Sequence, residues 1–124
     1  MKDDHGPLDD KLFRLAASLR AGDRDRALGL FLAFDAELTG YMRREERLLF
    51  PVLERFTTMS RRATGVMRDE HRSLRRLLDS LGEQIARADD RGGLDVVASL
   101  RSVLVLHFTK EAWMLEPLSR PAPA

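Results

Sequence analysis

Four separate stretches of this chain place residues of one face at alternating steps of four and three, and no strand-like alternation competes with them. The first stripe is Leu8, Leu12, Leu15 and Leu19, and the second Ala27, Leu30, Phe34, Leu38, Tyr41, Glu45, Leu48 and Val52. The third is Met67, His71, Leu74, Leu78, Leu81 and Ile85, and the fourth Val97, Leu100, Leu104, His107, Glu111, Met114 and Leu118. Residues spaced this way share one side of an α-helix, and an apolar side must be packed against another element. The connections are short. Ala21-Gly22-Asp23 breaks the first stripe, with Asp23 as an N-cap; Thr57 to Thr64 is a polar connection with the third helix starting near Gly65; Ala88 to Gly93 is the clearest turn. The expectation is an all-α, up-down-up-down antiparallel four-helix bundle over residues 1–118, with 119–124 a disordered tail. Asp3 and Asp4 are candidate caps for the first helix, and Pro51 is expected to kink or loosen the tail of a second helix running from about Arg24 to Arg55.

Polar residues interrupt these stripes. Glu45 and Glu111 occupy positions that should be buried, where a carboxylate costs several kcal/mol unless a cation or full hydrogen bonding compensates. His71 and His107 sit in the same way, and His5 lies one turn before Leu8 on the first stripe. A shift of 66 residues superimposes the two halves: His5 falls on His71, Leu8 on Leu74, Leu12 on Leu78, Leu15 on Leu81, Phe34 on Leu100, Leu38 on Leu104, Tyr41 on His107, Glu45 on Glu111 and Pro51 on Pro117. Each half is a helical hairpin with one polar residue early on its first helix and a pair four apart on its second. Packed antiparallel, two such hairpins bring six side chains to one layer. A lone histidine on an apolar face is usually a satisfied core residue, but here all three histidines of the chain fall on the stripes, so the pattern points to a metal site.

The runs Asp4-His5-Gly6-Pro7-Leu8, Tyr41-Met42-Arg43-Arg44-Glu45-Glu46-Arg47-Leu48-Leu49-Phe50-Pro51, Asp69-Glu70-His71-Arg72-Ser73-Leu74 and His107 to Pro117 together resemble the hemerythrin-like HHE cation-binding domains, over essentially the whole chain. The resemblance implies a non-haem di-iron centre bridged by Glu45 and Glu111 and by an oxo or hydroxo group, with His5, His71 and His107 as terminal ligands. Imidazole and carboxylate together suit iron, with zinc or manganese open on ligand type alone. About two coordination positions would remain for small molecules.

One terminal position departs from the family. Tyr41, the only tyrosine, stands where the family has histidine. Coordination as a phenolate is the favoured reading, since a nearby cation stabilises the phenolate; the alternative is a neutral phenol hydrogen-bonded to Glu37 or Glu45. A phenolate ligand favours ferric iron, and position 75, where an extra third-helix ligand would lie, is arginine, so oxygen transport ranks low. Glu46, Glu70 and Asp4 read as residues that orient ligands or face solvent, while Trp113 and Met114 read as bundle packing.

Composition excludes several classes. There is no cysteine, hence no disulfide framework, thiolate zinc site, iron–sulfur cluster or cysteine nucleophile. Twenty-one basic residues meet 20 acidic ones for a net charge of +1, so nothing global argues for nucleic acid or an anionic membrane. The first residues lack the apolar core of a signal peptide and no apolar run approaches the ~20 residues that span a bilayer, so a cytoplasmic protein is expected. The leading functional expectation is a di-iron protein whose open positions meet peroxide, dioxygen or nitric oxide, with peroxide disproportionation preferred and Tyr41 the catalytic candidate. A non-enzymatic iron, oxygen or nitric oxide sensor is the alternative, acting through a partner surface such as the arginines at 61, 62, 68, 72, 75 and 76. A metal-free helical interaction module is the third class. Leu49, Leu53 and Phe56 are apolar candidates for exposure that would permit a homodimer.

Overall fold

The computed structural model describes residues 5–56 and 61–119, and every element among them is helical. α1 spans His5–Ala21, α2 Arg24–Arg44, α3 Phe50–Phe56, α4 Arg61–Ala86 and α5 Asp90–Ser119; Glu45–Leu49 is a π-helical turn joining α2 to α3 in one rod. α1 packs on α2 and α5, and α4 on α5 and α2, which closes a helical bundle. Its main core is built from leucines of the four stripes, among them Leu12, Leu15, Leu38, Leu78, Leu81 and Leu100, with Phe34. A second, smaller cluster of Phe50, Leu53, Met67 and Met114 lies beyond the polar positions. Glu45, His71, His107 and Glu111 fall between the two clusters along their helices, each at most 5% exposed.

The turns after α1 and α4 are built alike. After α1 the amide of Gly22 donates to the Leu19 carbonyl and that of Asp23 to the Ser18 carbonyl; after α4 the amide of Ala88 donates to Ile85 and that of Asp89 to Gln84. This is the paired closure of a helix end that needs one residue in the left-handed region. Gly22 takes it at φ 69° and Ala88 at φ 60°. Asp23 then caps α2 by accepting from the Arg26 amide at 3.2 Å, and Asp89 caps α5 by accepting from the Gly92 amide at 2.8 Å. α5 therefore begins at Asp90, so Arg91 to Gly93, expected in the turn, are helical. α4 is already helical at Arg61, four residues before Gly65. The capping expected at Asp3 and Asp4, the start of the connection at 57–60 and the tail at 120–124 lie outside the described residues; Ser119 ends α5.

The largest correction falls at the π turn. Its amides reach one residue further back, with the Phe50 amide on the Glu45 carbonyl. Pro51 cannot donate to the carbonyl four residues before it and crowds that group, so a wider turn just upstream relieves the ring while the rod continues. One residue is thereby inserted into the stripe. Leu48 and Val52, expected in the core, are exposed, and Phe50 and Leu53 are buried instead. Leu53 is therefore no candidate for a dimer surface, whereas Phe56 is exposed. Trp113, expected as packing, is 82% exposed, and Leu118 also faces out, while Met114 is buried. α5 is long and apolar enough, over Asp90–Leu118, to cross a membrane by length and composition, against the expectation that no run approaches this. Its inward face packs on α1 and α4 and carries His107 and Glu111, which is the pattern of a core helix.

The basic run on α4 is largely engaged within the fold. Arg68 donates to Glu54 and lies over the Phe50 ring, Arg72 pairs with Asp69, and Arg76 donates to Ser73. Arg75 donates to Asp35 at 2.9 Å and to Asp79 at 2.9 Å; Asp35 above all, and Asp79 with it, raise its pKa despite partial burial.

Candidate metal centre

The polar layer centres on Glu45, the first residue of the π turn and fully buried. His71 of α4 donates through Nε2 to Glu45 Oε1 at 2.9 Å, and His107 of α5 donates through Nε2 to the same oxygen at 2.8 Å. Two imidazoles from two helices thus converge on one carboxylate oxygen, and ligand atoms of Glu45, His71 and His107 all lie within 4.8 Å of one another. Burial alone would raise the Glu45 carboxyl, but the hydrogen bonds and charges of His107 and His71 outweigh it and hold its pKa below the ordinary value. His107 is shifted the opposite way: burial lowers it, and the bonds and charges of Glu45 and then Glu70 more than reverse this and raise it.

The outer nitrogens of the two rings lie near carboxylates, and that of His107 is hydrogen-bonded to one. His107 Nδ1 lies 3.0 Å from Glu70 Oε1, and His71 Nδ1 lies 3.4 Å from Glu46 Oε2. Glu70 is in turn paired with Lys110. A metal-binding histidine characteristically turns its second N–H to a carboxylate as His107 does here, which fixes the tautomer and leaves the lone pair of the inner nitrogen for the metal. Glu70 therefore holds the His107 ring rather than joining the inner group, one of the two roles the sequence left open for it, whereas His71 Nδ1 makes no hydrogen bond and Glu46 only stands near it.

Two buried polar atoms test whether a cation fits. The Tyr41 hydroxyl and Glu45 Oε2 have no hydrogen-bond partner. Leaving such atoms unpaired in an apolar interior costs on the order of 1–3 kcal/mol each. The phenol does not bond to Glu37, which pairs instead with Lys11 at 2.8 Å, nor to Glu45. A cation taking the place of the Nε2 protons would meet two neutral imidazoles and a carboxylate, the donor set that first-row divalent metals accept. The residues present fit a metal.

The other candidates lie around this group. Glu111 is buried, and its Oε2 stands 3.8 Å from His5 Nε2. Tyr41 has its ring 6.5 Å from His107 and 6.2 Å from His5, edge to face in both cases. His5 differs from the rest in having a side chain 29% exposed, with its ring stacked on Phe108 at 3.6 Å. On the far side Phe50, placed by the π turn, stacks on His71 at 5.5 Å between centroids. Reasoning from sequence missed both aromatic neighbours. Phe108 adjoins His107 and so fell off the stripe, and Phe50 enters the core only through the register shift.

The family model of the hemerythrin HHE cation binding domain matches residues 1–118. No curated protein and no solved structure gives a significant match.

Proposed function

The chain belongs to the hemerythrin HHE cation-binding family, and from that premise we propose that it is a non-haem di-iron protein that meets small oxidants: peroxide, dioxygen or nitric oxide. In this reading the helices run up-down-up-down as two repeated hairpins forming one domain over residues 1–118. Glu45, Glu111, His5, Tyr41, His71 and His107 would together hold the two ions, and the protein works in the cytoplasm. The observation that carries the reading is the convergence of two imidazole nitrogens on one oxygen of a fully buried glutamate whose other oxygen has no partner.

When bound, iron would supply open coordination positions and redox chemistry, of which peroxide disproportionation suits a ferric centre with an anionic ligand. The chain's own contribution is positional. Glu70 orients His107; Tyr41 offers an unpartnered phenol that becomes a phenolate only where a cation stabilises it. Phe50, Leu53, Met67 and Met114 on one side and the leucine core on the other exclude water, which strengthens every charge interaction in the layer.

Metal analysis of the purified protein, with its visible spectrum, tests this. Two irons per chain and a phenolate-to-iron charge-transfer band that vanishes in Tyr41→Phe are expected; protein from iron-replete cells with no metal would remove the reading. Incubation with hydrogen peroxide should evolve oxygen at a rate that Tyr41→Phe alters. No oxygen evolution would leave the iron site and discard the enzymatic chemistry.

A further inference from the structure

Solvent does not meet the polar layer evenly. Tyr41, Glu45, His71, His107 and Glu111 are at most 5% exposed, whereas the His5 side chain is 29% exposed. A cavity of about 350 Å³ between α1 and α5 reaches His5 and is walled by Leu12, Leu104, Val105 and Phe108. It shares Asp9, Leu12, Arg101 and Val105 with a wider groove of about 850 Å³ that continues between the same helices to Arg20 and Leu94. The two are one cleft. Asp9 and Arg101 pair across it at 3.5 Å, and at its inner end Phe108 lies flat on His5, rings 3.6 Å apart and 15° from parallel.

We propose that this α1/α5 cleft is the entrance to the metal layer for small uncharged molecules, with the Phe108–His5 stack as its inner closure. The proposal rests on the di-iron reading for what the molecule meets at the end. The selectivity follows from the walls. Leu12, Leu104, Val105 and Phe108 line the inner part, and its charged residues Asp9 and Arg101 are paired with each other, so an ion entering it would lose hydration with little to replace it, whereas peroxide, dioxygen or nitric oxide would lose little. Asp9 and Arg101 neutralise each other at the mouth and give it no net sign. Passage requires the Phe108 ring to swing off His5, a side-chain motion and not a movement of the helices.

Val105→Trp tests this, because Val105 lines both parts of the cleft, is 56% exposed, and is neither a candidate ligand nor a residue that holds one. In iron-loaded protein the variant should bind nitric oxide about tenfold more slowly, with unchanged iron content and unchanged final absorbance, while Phe108→Ala should bind it faster. Val66→Trp, an exposed position away from the cleft, should match wild type. Association at the wild-type rate in Val105→Trp, or in Val105→Phe should the tryptophan not fold, would overturn the proposal. A second arm needs no metal: diethyl pyrocarbonate, a neutral reagent that acylates imidazole, should modify His5 before His71 and His107, and Val105→Trp should slow that step. Equal modification of all three histidines, or no slowing, would overturn the cleft as entrance even if iron is bound. Absence of iron in every variant would end the di-iron reading and leave this second arm to decide about the cleft.

Discussion

The leucine end of the bundle and its polar end use the same helices and the same spacing, yet only one of them is complete by itself. At the leucine end every position of the stripes is filled by a side chain that gains from leaving water, such as Leu15, Leu78 and Leu81, all 0% exposed. One to two turns further along the same faces, Glu45, His71, His107 and Glu111 are buried just as deeply, with the Tyr41 hydroxyl and Glu45 Oε2 lacking partners. The contrast separates two roles that one periodicity conceals. Leucine holds the helices together, and the polar layer is left with unpaired atoms that a bound cation would satisfy.

Adding and removing metal should give the largest difference between the ends. Iron supplied at a thousandfold its dissociation constant stabilises a folded chain by about 4 kcal/mol. For a domain of this size that is a rise in Tm on the order of 15 °C. Thermal unfolding with and without iron under anaerobic conditions measures it, and Glu45→Ala should abolish the rise. A metal-dependent rise that survives Glu45→Ala would break the comparison, since it would place the metal elsewhere.

Leu78→Ala should show the converse. Truncating a fully buried leucine costs about 3 kcal/mol, read as a lower midpoint in denaturant, and the folded protein should keep its full iron content. Loss of metal with the leucine would mean that the two ends are not separable.

Much of this contrast was legible in the sequence. The four stripes named most of the buried leucines, with Leu48, Leu118 and the half-buried Leu30 as exceptions, and Glu45, His71, His107 and Glu111 stood out because polar residues occupied positions that periodicity assigns to the core. The π turn was not legible. Local pattern records the face a residue would take at a constant 3.6 residues per turn, and Pro51 announced only that regular bonding must fail nearby. Hence Leu48 and Val52 were placed inside, where Phe50 and Leu53 belong. The carboxylate that holds the His107 ring was legible only as a candidate, because Glu70 and His107 lie 37 residues apart and meet through packing. The α1/α5 cleft has no sequence signature, since it is a gap between helices.

Glu70→Ala should sharpen the account of the polar end. Removing a carboxylate that orients a metal-binding imidazole weakens metal affinity by roughly 10–100-fold. A competition titration against a chelator would measure this, with stability in the absence of metal changing much less. An unchanged affinity would mean that His107 is oriented by packing alone.

Beyond the polar layer, Glu54 accepts from the Thr64 hydroxyl at 2.6 Å and from Arg68, and these bonds hold its carboxyl below the ordinary range. A depressed carboxylate contributes stability that is complete above its unfolded pKa and disappears as pH falls through the folded value. Stability of the wild type should therefore drop more on acidification than that of Glu54→Gln, by about 1 kcal/mol or less for a pair in partial contact with water. Parallel pH profiles for the two proteins would remove Glu54 from the account.

The smallest effect lies at the leucine end, in its two turns. Gly22 and Ala88, 66 residues apart, close α1 and α4 through the same bonds and both adopt positive φ. Glycine does so freely, whereas a residue with a Cβ is strained by roughly 1 kcal/mol. Ala88→Gly removes that strain but gives the unfolded chain more freedom, so the net gain should be about 0.5 kcal/mol, or about 2 °C in Tm. The reciprocal change, Gly22→Ala, adds strain at a position where the new Cβ meets nothing within 4 Å, so its effect reports the backbone alone. It should cost on the order of 0.5–1 kcal/mol. Opposite signs for the two variants, with iron content constant in both, would locate the difference between the two turns in one dihedral angle; a loss of stability in Ala88→Gly would show that the turn after α4 depends on its methyl group and that the two closures are alike only in their hydrogen bonds.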